Sequence, residues 1–314
     1  MHIGPTEILD THAEAFAARF VRLIVTAIDA HWVDVAARAA TGYATSVIGC
    51  DCEAGIDRSL SASETPDGRP GASLLFFAFT TEKLADGLAN RVGQCVLTCP
   101  TTACFNGLPN AAETIPLGDW IHAFGDGYES REKGAGGRES ATGSSSLLPA
   151  PCSSLPAPWH IPVMDGEFVV DAVAGVEKGI AGGNLVLHAE SQAAGLAAAL
   201  RASGALASLP NIITPFPGGV CRCGSKVGSR EGDLIATTDE AFCPTLRNVT
   251  ATQLVDGATC AYEIVIDGTD LAAVRGAMRA AIEAAASPGV LAISARSFGG
   301  KLGKSPIRLH DLFV

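Results

Sequence analysis

Positive charge is scarce in this 314-residue chain: 22 lysines and arginines stand against 33 aspartates and glutamates, a formal net charge of −11. With no basic surplus to neutralise phosphates, nucleic acid is excluded as the main partner. An acidic total still leaves room for an anionic small substrate held in a local basic pocket. Long hydrophobic runs are missing as well. The longest, Ala72 to Phe79, is too short to span a bilayer. The opening Met-His-Ile-Gly-Pro-Thr-Glu lacks the basic segment and apolar core of a secretion signal. A cytoplasmic protein that makes no use of a membrane is expected.

Several familiar chemistries lack their motifs. There are ten cysteines but no Cys-x2-Cys pair, and the histidines show no paired ligand spacing. Reduced cysteines acting as small core hydrophobes, with no bound metal, are expected. No Gly-x-Gly-x-x-Gly follows a strand, which removes a dinucleotide site, and no Gly-x-Ser-x-Gly supports a serine-hydrolase elbow. The run from Gly219 to Gly224-Ser225-Lys226 resembles a phosphate loop only superficially, because its serine precedes its lysine.

What is present is a chain that is 47% hydrophobic, enough for a sizeable core. Strands are expected at Thr6 to Asp10, Arg22 to Ala27, Thr45 to Gly49, Ser73 to Phe79, Cys95 to Thr98, Glu167 to Val173, Asn184 to Ala189 and Val290 to Ser294. Helical periodicity marks His31 to Ala40, Thr81 to Gln94, Ser191 to Arg201 and Leu271 to Ala286. From Glu129 to Pro158 glycine, serine and proline dominate, as in a flexible linker or surface insertion. The boundary is placed there, giving an N-terminal lobe over 1–158 and a C-terminal lobe over 159–314. Each half ends on a helix and a strand, a weak internal repeat that suggests two related α/β sandwiches.

The stretch Thr259 to Gly268 has the composition of a buried strand closed by an Asp-Gly turn. Alternation puts Ala261, Glu263 and Val265 on one face, and Cys260, Tyr262, Ile264 and Ile266 on the other. Glu263 is the lone charge there. Strand carboxylates are usually solvated. Among apolar neighbours, however, a carboxyl stays protonated and can donate a hydrogen bond to an oxyanion. Four glycine-bearing loops accompany it: Ile180 to Asn184, Pro215 to Gly219, Gly224 to Ser229, and Phe298 to Lys301. Paired glycines let a backbone approach a ligand closely, although each loop alone reads as an ordinary turn.

The runs Ala40 to Val47, Glu53 to Asp57, Glu64 to Gly71, Arg91 to Cys95 and Phe124 to Tyr128 carry a resemblance, as do Ala181 to Asn184, Ala189 to Gln192, Pro215 to Gly219, Ser225 to Ser229, Tyr262 to Ile266 and Phe298 to Gly303. In order and nearly end to end, they resemble formylmethanofuran:tetrahydromethanopterin formyltransferases. The segment from Glu129 to Pro158 and the pairs Cys50/Cys52 and Cys221/Cys223 depart from that pattern. The resemblance implies an α+β fold of two related ferredoxin-like α/β sandwich lobes. It implies transfer of a formyl group between a methanofuran-type amine carrier and N5 of tetrahydromethanopterin, both of them co-substrates, with no tightly bound cofactor. Assembly as a homotetramer, or as a subunit of a formyltransferase/hydrolase complex, is implied too. The proposed catalytic glutamate of the family falls on Glu263, which reverses the solvated reading of that residue. Gly182, Gly183, Asn184, Gly218, Gly219, Ser225, Lys226 and Ser229 become the candidate carrier-binding residues, through backbone amides and the point charge of lysine. Lys226 and Lys301 read equally as solvated surface charges. The rival reading is a non-catalytic pterin-binding scaffold subunit, against which the intact Tyr262-Glu263 run counts.

Overall fold

The computed structural model describes residues 1–131, 155–300 and 302–314. In chain order its main elements are β1 (Thr6–Ile8), β2 (His12–Thr26), α1 (Ala30–Thr41), β3 (Glu53–Leu60), β4 (Gly71–Ala78), α2 (Thr81–Arg91), β5 (Ala103–Asn106), β6 (Glu113–Pro116), β7 (Trp159–Val163), β8 (Gly166–Val170), β9 (Val173–Ala189), α3 (Gln192–Leu206), β10 (Cys260–Gly268), α4 (Leu271–Ala285), β11 (Val290–Ser294) and β12 (Ser305–Arg308).

Two long strands carry the rest. β2 has 15 residues and β9 has 17, and they pair antiparallel from Phe16↔Ala181 to Val21↔Val176. At about 3.3 Å per residue each reaches roughly 50 Å, far enough to serve two cores. Beyond their shared stretch they diverge. β2 goes on to pair with β4 and β5, and β4 takes β3 on its other edge. β9 goes on to pair with β10 on one side and β11 on the other, and β11 takes β1 in parallel.

The first core gathers Phe20, Leu74, Phe76 and Phe77 against α1 and α2, and it also takes in Ile161 and Phe168 from β7 and β8. The second gathers Leu185, Leu187, Ile264 and Ile266 against α3 and α4, and takes in Ile8, Ala13 and Ala15 from the chain's start. The fold is α+β with two lobes. Both helices of the second lobe start on a side-chain cap: Ser191 Oγ accepts from the Ala194 N–H at 3.2 Å, and Asp270 Oδ1 from the Ala273 N–H at 2.8 Å. Val274, Met278 and Ile282 then recur at helical spacing along the buried side of α4, while alanines let α3 lie close to the sheet.

Two expected strands are absent. The 45–49 stretch is a turn, closed by hydrogen bonds from the Gly49 and Cys50 N–H groups to the Ser46 carbonyl, at 3.0 and 2.7 Å. The β-branched residues after α2 extend the helix instead of leaving it, as a wide turn over Val92–Val96. Conversely, β3 was not anticipated. Of the segment from 129 to 158, residues 132–154 lie outside the described ones. Ser130 and Arg131, at its start, pair with His160 and Trp159 of β7.

Candidate active site

The site follows from the alternation of β10. Tyr262, Ile264 and Ile266 turn towards α3 and α4 and join the second core. Glu263 therefore points to the opposite face. There the register sets Glu263 opposite Val186, and Val186 opposite Ser294, while His188 stands opposite Ala261 and Ala292. Directly opposed residues share a face, so Glu263 and Ser294 flank Val186 on the side without helices, and His188, two residues on from Val186, lies on the same face.

That face is closed by the chain between β10 and its preceding helix. The Cys221 N–H donates to the Glu263 carbonyl at 2.8 Å and the Glu263 N–H to the Cys221 carbonyl at 2.9 Å, stitching the covering segment directly onto the glutamate. The result is a narrow cleft lined by Glu263, Cys221, Cys223, Asp239, Phe242 and Arg296, among others.

Glu263 is only 4% exposed. Its Oε1 accepts a hydrogen bond from Ser225 Oγ at 2.7 Å, and its buried Oε2 has no partner among the described residues. Burial raises its pKa from the usual carboxylate range to about 7, against the opposing pull of the Ser225 hydrogen bonds and the Arg296 charge. With Oε1 occupied as an acceptor, Oε2 is the place for the proton. Glu263 is thus a buried carboxyl at the wall of the cleft, protonated below about pH 7, with Oε2 left without a partner among the described residues.

Asp239 and Arg296 form the charged wall. Arg296 Nε donates to Asp239 Oδ2 at 2.5 Å, and the guanidinium lies 5.8 Å from the ring of Phe242 and 5.1 Å from that of Phe298. Asn184 fixes the backbone of Arg296 from both sides: its Oδ1 accepts from the Arg296 N–H at 2.6 Å, and its Nδ2 donates to the Arg296 carbonyl at 3.1 Å. Deeper in the sheet, His188 Nε2 sits 2.8 Å from Ser294 Oγ, with its ring edge-on to Phe242. Burial lowers the His188 pKa to about 4, so the imidazole is neutral.

The sequence candidates separate here. Ser225 is brought onto Glu263. Lys226 pairs with Glu240 at 2.5 Å and borders a second cleft of about 700 Å³, shared with Arg296, Phe298 and Leu302. Gly182 and Gly183 do not line the Glu263 cleft; they form an irregularity in β9, where a Cβ would come within 2.7 Å of the Phe16 ring and 2.6 Å of Val274. Asn184 acts through Arg296. Gly218 and Gly219 line a separate, wide cleft with Phe216, Ile56 and Leu200. Ser229 lies out in the covering segment, where its Oγ accepts from the Glu231 N–H at 3.0 Å. Lys301 is outside the described residues. Arg296, Asp239, Phe242 and His188 went unrecognised, because they reach the site from separate segments with no local motif. The one signal was position: Arg296 stands two residues past a strand that was itself expected. Among the described residues no group of three or more His, Cys, Asp and Glu is placed to hold a metal ion.

The model of the formylmethanofuran-tetrahydromethanopterin formyltransferase family matches residues 1–142, and the model of its proximal lobe matches residues 166–312. The formylmethanofuran–tetrahydromethanopterin formyltransferase of Methylococcus capsulatus is 47% identical over 318 residues, covering 100% of both chains. Among solved structures, the formylmethanofuran:tetrahydromethanopterin formyltransferase from Methanosarcina barkeri superposes with a TM-score of 0.87 at 43% identity, covering 100% of both chains. A chain of the formyltransferase/hydrolase complex from Methylorubrum extorquens, solved with methylofuran, gives a TM-score of 0.89 at 41% identity, covering 100% of this chain and 99% of that one. Matched over both lobes and at full length, the chain belongs to the formylmethanofuran-tetrahydromethanopterin formyltransferase family.

Proposed function

We propose that the chain transfers a formyl group between a methanofuran-type amine carrier and N5 of tetrahydromethanopterin, with Glu263 as the catalytic acid. Family membership supplies the reaction. The buried Glu263 carboxyl, which lines the cleft and whose Oε2 has no partner among the described residues, is the observation that carries the mechanism.

Attack of one carrier's nitrogen on the formyl carbon gives a tetrahedral intermediate whose oxygen becomes an oxyanion. A neutral Glu263 donates its O–H to that oxygen, and Ser225 fixes the carboxyl by holding Oε1. The attacking nitrogen gives up its proton, the other nitrogen gains one, and collapse then expels it as the free amine. The remaining work is positioning of two large molecules, for which the clefts on either side of Arg296 are available. Lys226 and Arg296 offer charge to anionic groups of the carriers. The scaffold alternative has no use for a buried acid held ready at a cleft.

Both carriers enter as co-substrates. The protein works as a homotetramer or as a subunit of a formyltransferase/hydrolase complex, the setting named for its Methylorubrum relative. Among the described residues no helix is long and apolar enough to cross a membrane, and a cytoplasmic location accords with soluble co-substrates. The deciding experiment is single-turnover transfer by the purified protein alone, with formylated carrier and reduced pterin. Formation of 5-formyl pterin is the expected result. Pterin binding without transfer would establish the scaffold reading instead.

A further inference from the structure

Cys221 and Cys223 both line the Glu263 cleft, and their sulfur atoms lie 3.5 Å apart. That is van der Waals contact, about 1.5 Å longer than a disulfide bond. The two thiols differ in access: Cys221 is buried and Cys223 is exposed. Cys223 makes only a weak contact to the Gly224 carbonyl, at 3.3 Å. Neither belongs to a metal-binding group among the described residues. A third thiol of the cleft, Cys243, is directed to the Asp239 carbonyl at 3.4 Å.

We propose that Cys221 and Cys223 are a reversible oxidation site that takes a hydroperoxide as its substrate and switches the adjacent acid off. The sulfur of exposed Cys223 attacks the terminal peroxide oxygen and the O–O bond breaks. Cys223 becomes a sulfenic acid, and its thiol proton leaves with the other oxygen as alcohol or water. The sulfur of Cys221 then attacks that of Cys223, the S–O bond breaks, and water carries off the hydroxyl and the Cys221 proton. Two thiols have lost two electrons and the peroxide has gained them. A small dithiol reverses the exchange. Burial pushes the Cys221 thiol pKa well up and keeps it from the peroxide, which leaves the first step to exposed Cys223; the 3.5 Å contact places Cys221 for the second.

The consequence for catalysis rests on the role proposed for Glu263. Cys221 is tied to Glu263 by the two backbone hydrogen bonds, so it is the fixed end. Cys223 is held by one backbone hydrogen bond, from the Asp239 N–H to its carbonyl at 2.8 Å, and with its exposed side chain it is the end that moves. Gly224, at φ 78°, joins it to Ser225, whose hydroxyl holds Glu263 Oε1. Drawing Cys223 inward pulls Ser225 off the carboxyl and narrows the cleft. A displacement of about an ångström at a reacting group costs on the order of a hundredfold in rate.

The test treats the full-length protein with hydrogen peroxide, then measures intact mass, maps the peptides, and compares transfer before and after treatment within each variant. Wild type should lose two hydrogens in a Cys221–Cys223 disulfide and fall on the order of a hundredfold in transfer, with recovery in dithiothreitol. Cys223→Ser and Cys221→Ser should each keep their own untreated rate after peroxide and reduction. A disulfide to Cys243, irreversible oxidation of Cys223 without a disulfide, or a disulfide that leaves the rate unchanged would overturn the proposal. The mass readout needs no carrier, so the oxidation site stands or falls separately from the formyl-transfer reading.

Discussion

At the scale of single residues the proposed mechanism turns on whether Glu263 acts as a hydrogen-bond donor or as a base. A donor must be neutral, and a carboxyl raised to about 7 is neutral below that pH. Transfer should therefore hold up to about pH 7 and fall above it, close to tenfold per further unit. Glu263→Gln keeps a donor of nearly the same shape, so it should retain partial activity and lose the alkaline fall. Glu263→Ala should lose on the order of a hundred- to a thousandfold in turnover, the usual size for one oxyanion donor. Glu263→Asp withdraws the acid by a methylene and should also be poor, while pterin affinity survives all three changes. Single-turnover rates against pH for each variant check this; a glutamine variant as dead as alanine would make Glu263 a base. This residue was legible because strand alternation depends only on the local sequence, and the family resemblance then gave its charge a purpose. Asp239 and Arg296 were not legible, since 57 positions separate the two partners of that ion pair.

At the scale of elements, strand length is what the sequence concealed. Of β2 only residues 22–26 fall in the strand expected from Arg22 to Ala27; Glu14 and Arg19 interrupt the apolar pattern before it, and Arg22 stands at its edge. Each interruption has a partner. Arg22 pairs with Asp57, Arg19 with Glu113 at 3.1 Å, and Glu14 receives an entire loop. Its Oε1 accepts from Ser297 Oγ and from the N–H groups of Phe298 and Gly300, at 2.6 to 2.7 Å, and its Oε2 accepts from the Leu302 N–H at 3.1 Å. Gly299 and Gly300, at φ 71° and 76°, let the backbone curl round the carboxylate. One of the four glycine loops noted in the sequence is thus folded about a residue of the protein itself. Burial works against the Glu14 charge, but the hydrogen bonds from Gly300, Ser297, Leu302 and Phe298 outweigh it and hold the carboxyl down at about 2. The stability it contributes is complete above the ordinary carboxylate value of 4.5 and is lost as pH falls towards 2. Glu14→Ala should cost on the order of 3 kcal/mol in urea unfolding at neutral pH, by leaving four half-buried or exposed loop donors without their charged acceptor. It should also raise carrier KM, because Phe298 borders the second cleft beside Arg296. Unchanged stability in the alanine variant would remove the organising role given to Glu14.

At the scale of the whole molecule, two questions concern how the parts are held together. The first is assembly. Leu196 and Leu200 on α3 are 44% and 57% exposed beside the wide cleft of Gly218 and Gly219, an apolar surface that association would cover. Transfer should therefore track the oligomer as the protein is diluted, measured by mass photometry beside activity; a fully active monomer would refute the dependence. The second is the joint between lobes. Glu53 opens β3 in the first lobe and Asp267 stands one residue before the end of β10 in the second, and both carboxyls are buried and close enough to interact. Glu53 Oε1 accepts from the Val47 N–H and Asp267 Oδ1 from the Gly182 N–H, each at 3.0 Å. That leaves Oε2 and Oδ2, buried and without a hydrogen-bond donor among the described residues, to share one proton. Burial first, and the neighbouring Asp267 second, raise Glu53 well above the usual carboxylate range. The folded state therefore holds a proton that the unfolded chain releases above about 4.5. Stability from this pair is complete below that pH and is lost as pH rises through the raised folded value, when two buried charges would face each other. Glu53→Gln replaces the shared proton with an amide that donates to Asp267 and still accepts from Val47. The variant should match wild type in mildly acidic buffer and exceed it in thermal midpoint in alkaline buffer. Midpoints for both proteins across about pH 5 to 9 decide it. Parallel curves would show that the carboxyls hold no proton between them, and the joint would then need another account.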